Sequence, residues 1–258
     1  MKHTTSYQLS ICCGLLICLY SCQIANDLTP NALKGTEKSA TLTPSVTVQP
    51  TQPPMQANLV KEKWLGGIPC SPPCFEGVVP GKTSASESIK IWSRNFLFNK
   101  VESEKPALGN DGFVIFSGDI LLDNGKIGQW GGVSIYDYTS SDQTIYVIRL
   151  GLNDLPVSVG EFIKTYGEPT HLMAYRRISP DINGADGWGL DIIWLPKGFV
   201  VYSSLEMKSK PQLSPNLILN RVAYFPPTLE GYGKTIGTGF IQSVRPWRGY
   251  DNIEWIDH

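Results

Sequence analysis

Beyond its first two dozen positions, this chain has few residues that could do chemistry. Cys70 and Cys74 enclose Ser71-Pro72-Pro73. Three intervening residues are one too many for a Cys-x-x-C redox centre, and no thioredoxin-like βαβ pattern surrounds them. Outside the cytosol two neighbouring thiols oxidise, so a small disulfide loop is expected. Tetrahedral zinc would need two more soft ligands, and only His171 and His258 stand in this part of the chain. His171 follows Gly167-Glu168-Pro169-Thr170 at a strand start and reads as an ordinary strand residue.

The chain has no Gly-x-Ser-x-Gly elbow, no His-Glu-x-x-His and no Gly-x-x-x-x-Gly-Lys-Ser/Thr phosphate loop. Asp119, Asp123, Asp137 and Asp191 lie on or beside strand-like runs. A carboxylate pair could hydrolyse a glycosidic bond, because such pairs are set in space and not by spacing in sequence. Each of the four nevertheless reads first as a turn residue or part of an exposed sheet face. Asp181-Ile182-Asn183-Gly184-Ala185-Asp186-Gly187 has calcium-loop residue types in the wrong order. An EF-hand places a ligand at position 5 and glycine at 6, where this chain has Ala185 and Asp186. A hairpin connection is expected there. No catalytic residue, cofactor or metal is expected. The strongest surface candidates are in the tail, where Tyr232, Phe240, Trp247, Arg248, Tyr250 and Trp255 crowd into 24 residues. Trp, Tyr and Arg dominate interface hot spots. Tyr232, Trp247, Arg248, Tyr250 and Trp255 are therefore the expected partner-binding surface, with packing of the tail onto the sheet as the competing reading.

The start of the chain is a signal and not structure. Lys2 and His3 lead through polar residues into the apolar run Leu9–Tyr20, about a dozen residues. A bilayer span takes about 20 apolar residues, so this run suits the apolar stretch of a signal peptide. It ends Leu19-Tyr20-Ser21-Cys22, which resembles the lipobox of bacterial lipoproteins: Leu at −3, a small residue at −1, then the cysteine that becomes the lipidated N-terminus. Residues 1–21 are thus expected to be a signal peptide, and Cys22 the lipid anchor. Acyl chains contribute about 0.8 kcal/mol per buried CH₂, enough for several to hold a protein on a membrane. Residues 23–60 are rich in Thr, Pro, Asn, Gln and Ser, without a periodic apolar face. Such a segment cannot offset its ordering entropy by burial. Residues 22–62 are therefore expected to be the anchor and a disordered stalk, and residues 63–258 a single domain.

The domain needs elements to position its few candidates. Of 258 residues, 25 are Gly and 19 Pro, which favours a turn-rich β domain over a helical bundle. The formal charge is −1, and loss of residues 1–21 removes only Lys2, leaving −2. This excludes the basic footprint of a nucleic-acid binder and a polybasic lipid-binding stripe. Ser84 with Glu87, and Ser158 with Glu161, have capping-box spacing, 74 residues apart. Ala85, Ile89 and Trp92 then share one helix face, as do Val159, Phe162, Ile163 and Tyr166. Gly167 and Pro169 stop the second helix. Strand-like runs follow each: Gly112–Leu122, Lys126–Tyr138 and Thr144–Leu150, then Thr170–Ile178, Trp188–Leu195, Phe199–Leu205 and Leu217–Phe225. Asp123-Asn124-Gly125 and Pro196-Lys197-Gly198 are hairpin turns. The expectation is an α+β domain of two αβββ units, about 75–151 and 152–226. Its short helices should lie on one side of a largely antiparallel sheet, with an aromatic tail beyond.

Cys74-Phe-Glu-Gly77-Val-Val-Pro-Gly81-Lys-Thr83 before a helix resembles the C-x-x-G-I-x-P-G-x-T opening of a family of bacterial lipoproteins of unassigned function. Phe162-Ile-Lys-Thr-Tyr-Gly167-Glu-Pro169 resembles the family's V-I-x-x-Y-G-x-P helix. Trp194-Leu-Pro-Lys-Gly198-Phe-Val-Val-Tyr202 and Pro246-Trp247-Arg-Gly249-Tyr250 are similar to its later strands and tail. The likeness covers roughly residues 68–252. More remotely, the pattern is similar to the repeats of the β-lactamase inhibitor protein and of small outer-membrane assembly lipoproteins. Ser93-Arg94-Asn95 stands where those repeats have a Gly-x-Pro exit. The resemblance implies tandem helix-plus-sheet units that present a sheet face or loops to a protein partner. The expected function is a non-enzymatic binding or assembly module, anchored on the extracytoplasmic face of a membrane, with an envelope protein or glycan as partner. The alternative is an envelope hydrolase with a carboxylate pair, acting on glycans.

Overall fold

The computed structural model describes residues 55–105, 110–152, 154–177, 187–202, 209–219, 221–251 and 253–257. The expected signal peptide, Cys22, most of the stalk, residues 181–186 and His258 lie outside the described residues.

In chain order the elements are β1 (Met55–Gln56), α1 (Ala57–Leu65), α2 (Ala85–Trp92), β2 (Lys100–Glu104), β3 (Asp111–Leu121), β4 (Ile127–Asp137), β5 (Ile145–Gly151), β6 (Val157–Ser158), α3 (Val159–Tyr166), β7 (His171–Arg177), β8 (Gly187–Trp194), β9 (Phe199–Tyr202), β10 (Ile218–Leu219), β11 (Arg221–Tyr224), α4 (Leu229–Ile236), β12 (Arg245–Pro246) and β13 (Trp255–Asp257). The class is mixed α+β, with four α-helices among the described residues and one large, mostly antiparallel sheet. Its order is β1-β3-β4-β5-β11-β9-β8-β7-β12. Each outer edge is shared by two short strands: β1 and β2 on β3, and β12 and β13 on β7. Among the described residues no helix is long and apolar enough to cross a membrane.

Strict alternation gives the sheet two faces. On β3 the even residues Val114, Phe116 and Ile120 are buried. Strand register carries that face through Trp130, Leu150, Val222, Val201, Ile192 and Leu172. Helices α1, α2 and α3 cover it with Val60, Trp92, Val159 and Phe162, and these join one core. The opposite face carries a smaller cluster, Ile135, Val147, Ala223, Val200 and Ile193, covered by Tyr232 of α4. The inner strands are therefore buried on both sides, which explains the nearly unbroken apolar runs of β8 and β9.

The expected helices α2 and α3 do share one side. The capping chemistry differs between them. Ser158 makes a full capping box: its hydroxyl accepts from the Glu161 N–H, and Glu161 accepts from the Ser158 N–H at 2.8 Å. Ser84 accepts from the Glu87 N–H at 3.3 Å without the reciprocal bond. The Pro80-Gly81-Lys82-Thr83 turn that leads into α2 is pinned twice. Gly81, at φ +81°, donates its N–H to the Ile145 carbonyl at 2.7 Å, and the Thr83 hydroxyl accepts from the Val79 N–H.

Two expectations are corrected. Residues 57–62, assigned to the stalk, are the first turns of α1, with Ala57 and Val60 in the core. Its weakly periodic sequence hid it, because packing and not propensity holds such a helix. The helices also do not all lie on one side: α4 sits on the other face. Thr228 caps it by accepting from the Gly231 N–H at 3.0 Å. Gly231 and Gly233 disfavour a helix, yet a Cβ at Gly231 would collide with the Pro226 carbonyl, so close backbone approach requires the glycine there.

The Cys70–Cys74 disulfide forms, with Cα atoms 5.7 Å apart. Just after it, Glu76 is buried and gathers three donors. It accepts from Lys63 Nζ at 2.8 Å, the Trp64 indole N–H at 2.9 Å and the Asn95 amide at 2.7 Å. This ties the disulfide loop to α1 and to the exit of α2.

Candidate functional site

The tail is built onto the outer edge of β7. Arg245 and Pro246 pair with Leu172 and His171, and Trp255 aligns with Ala174. Between them, the Trp247 N–H donates to the Thr170 carbonyl at 2.9 Å. Trp247 and Tyr250 meet edge to face at 5.5 Å, and Trp255 meets Trp188 of β8 at 5.1 Å and 90°. Lys210 holds its ammonium 4.8 Å from the Trp188 ring centre and 5.6 Å from that of Trp255. The Arg176 guanidinium lies 5.6 Å over Trp188. Contacts of these kinds contribute about 0.5–1.5 kcal/mol each.

Of the expected surface residues, Trp247, Tyr250 and Trp255 are partly buried against the core, and Arg248 is exposed. Tyr232 is not a surface residue. Its side chain is 0% exposed, because α4 turns it into the second core instead of extending the tail.

What holds Tyr232 inside is a polar cluster that sequence reasoning missed. Asp191 is only 2% exposed in mid-strand β8, which overturns its reading as a turn or exposed-face residue. Its carboxylate accepts from the Tyr232 hydroxyl at 2.7 Å and from the Tyr175 hydroxyl at 3.4 Å. Across the strands Met173, Asp191, Tyr202, Arg221, Gly151 and Gly131 follow one another in register on that face. Burial pushes the Asp191 carboxyl up to about 7, with the two tyrosine donors opposing. Burial also raises Tyr175, Tyr202 and Tyr232. Near Tyr202 the charges of Arg149 and Arg221 oppose that rise. Strongly shifted groups concentrate at functional sites, though structural networks shift them too. One signal was in the sequence: a lone acid inside Leu190-Asp191-Ile192-Ile193-Trp194. Its partners come from other strands and α4, and no spacing links them.

The other acids are not gathered around it. Asp123, in the β3–β4 turn, accepts from the Asn58 amide at 3.1 Å. Asp137, at the end of β4, accepts from the Thr139 hydroxyl and N–H, which hold its carboxyl below the usual range. Asp119 pairs in register with Gln129. His171 Nδ1 lies 2.9 Å from the Thr170 hydroxyl, and burial lowers its pKa. Among the described residues no three His, Cys, Asp or Glu side chains could hold a metal. β7 and β8 pair as the arms of the expected hairpin, with the calcium-like segment between them outside the described residues.

A comparison with protein families, curated proteins and solved structures finds no match to this chain.

Proposed function

We propose that this chain is a non-enzymatic binding module, fixed by a lipid on Cys22 to the extracytoplasmic face of a bacterial membrane. Its partner is an envelope protein that docks on the β7 edge. The likeness of Leu19-Tyr20-Ser21-Cys22 to a lipobox supports the anchor, and the Cys70–Cys74 disulfide fits an oxidising compartment. The resemblance of residues 68–252 to tandem-unit lipoproteins points the same way.

The tail edge is the observation that carries the binding reading. Trp247, Arg248, Tyr250, Trp255 and Trp188 line one margin of the sheet, joined by Lys210 and Arg176. A sugar ring needs a bare aromatic face, and cations lie over Trp188 here, so a protein partner fits better than a glycan. The carboxylate-pair hydrolase is the weaker reading, since Asp191 is buried and the other candidate acids stand on β3, on β4 and in the turn between them.

The domain itself reads as two αβββ units, α2 with β3–β5 and α3 with β7–β9. They run inward from opposite edges and meet at β11. With both helices on one face and matching strand directions, no rotation superposes the units, so they are alike in element order alone.

Membrane fractionation of the Cys22→Ala variant tests the anchor: the variant should be soluble in the extracytoplasmic compartment. Photo-crosslinking from the β7 edge should capture a defined envelope protein, and Trp247→Ala/Trp255→Ala should lose at least tenfold of that yield. A membrane-bound Cys22→Ala, or an undiminished yield, overturns the corresponding half of the proposal.

A further inference from the structure

On the α4 face the row that holds Asp191 continues in register through Tyr202 to Arg221, beside Arg149, and the structural role of the Asp191 cluster does not use these two cations. Arg149 on β5 and Arg221 on β11 project on this face, on adjacent strands and two residues apart in register. Arg149 is already oriented: it donates to the Thr235 carbonyl at the C-terminal turn of α4, at 2.6 Å. That bond occupies one of its five N–H donors. The Arg221 side chain makes no hydrogen bond or ion pair among the described residues, although the residue is only partly exposed. Tyr202 is the cross-strand partner of Arg221 on this face, and the charges of both guanidiniums act on its hydroxyl. Beside Arg221 the floor is bare backbone. Gly151 pairs with both Arg221 and Gly131, and a Cβ built on Gly151 would meet nothing nearer than 3.8 Å.

We propose that Arg149 and Arg221, with the Tyr202 hydroxyl, form a binding site for an oxyanion, a carboxylate or a phosphate-type group, over the bare Gly151 backbone on the α4 face. Guanidinium forks match the paired oxygens of such anions, and partial burial strengthens the hydrogen bonds. The site lies across the sheet from α1–α3 and is separate from the β7 edge. The nearby ionisable groups are Asp191, Tyr175, Tyr232 and Tyr146, whose hydroxyl donates to Asp111 at 2.6 Å, with Lys234 of α4 drawn off over the Tyr146 ring at 5.4 Å. Asp191 opposes the anion when ionised and ceases to oppose it when protonated.

Backbone amide and arginine Nε–H NMR titration of the mature chain tests this, with sulfate, inorganic phosphate and acetate run against sodium chloride at matched ionic strength. Saturable shifts are expected at Gly151, Tyr202 and Arg221 with oxyanions and not with chloride. A sulfate preference over acetate assigns a phosphate-type ligand, and the reverse assigns a carboxylate. Arg221→Ala should weaken binding at least tenfold, and Arg221→Lys, which keeps the charge without the fork, by less. Sulfate does not titrate between pH 5.5 and 8, so tighter binding at the lower pH should vanish in Asp191→Asn. Shifts that chloride reproduces, an adventitious ion only, or an Arg149→Gln/Arg221→Gln chain that binds as the wild type does, would overturn the site.

Discussion

At the scale of single residues, Asp191 and Glu76 show two ways of burying a carboxylate. Glu76 is matched by a lysine, an indole N–H and an amide, so its charge stays compensated. Among the described residues the Asp191 carboxylate accepts from tyrosine hydroxyls alone, and burial dominates its ionisation. The sign of the consequence follows. An unfolded aspartate titrates near 3.9 and the folded one at about 7. Between these values the folded state binds more protons. The stabilisation linked to Asp191 is therefore complete below the unfolded value and is lost as pH rises through about 7. Urea unfolding should show the wild type losing roughly 2–3 kcal/mol between pH 5 and 8 through this group. Asp191→Asn should remove that slope. The low-lying carboxyls of Asp137 and Glu161 titrate below this window and do not mask it. Equal slopes in wild type and variant would show that Asp191 is ionised throughout.

At the scale of elements, the two short helices with similar sequence starts are not equally secured. Burial opposes ionisation of Glu161, but hydrogen bonds from Lys61 and from both Ser158 donors prevail and lower its pKa. The α3 cap thus joins a network that also reaches α1 through the Lys61–Glu161 ion pair at 2.7 Å. Ser84 has only one capping bond, and its hydroxyl also lies 3.2 Å from that of Ser86. Ser158→Ala should cost about 1–2 kcal/mol and Ser84→Ala about half as much. Calorimetry should then show Tm falling by roughly 2–4 °C per kcal/mol, further for Ser158. A larger loss at Ser84 would contradict the difference in capping.

At the scale of the whole molecule, the folded unit reaches further toward the N-terminus than the stalk composition suggests. Val60 is fully buried, the Asn58 amide holds the Asp123 turn, and Lys61 holds the cap of α3. The Tyr166 hydroxyl donates to the Trp64 carbonyl at 3.0 Å, closing α1 over the sheet. A chain starting at Met55 should unfold like the full chain. One starting at Lys63 should lose at least ~3 kcal/mol, from the burial of Ala57 and Val60 together with these bonds. Denaturant midpoints of the two chains decide it, and equal midpoints would place α1 outside the cooperative unit.

Local chemistry was enough for much of this. The strands β3, β4, β5, β7 and β8 were legible as strand-like runs bounded by turn residues. Helices α2 and α3 were legible from caps and 3.6-residue spacing, and the disulfide from two cysteines with no competing ligands. Each signal is complete within a dozen or so residues. What the sequence could not give is held by long-range contacts. Helix α1 is secured by a buried valine and by bonds to residues 12 to 102 positions away. Helix α4 contains two glycines and is helical because Tyr232 finds Asp191 41 residues back along the chain. The polar cluster joins β5, β7, β8, β9, β11 and α4, so only the order of strands in the sheet could assemble it. The tail aromatics divided in the same way: their residue types were plain in the sequence, but whether each faced the core or the surface depended on where α4 turned the chain.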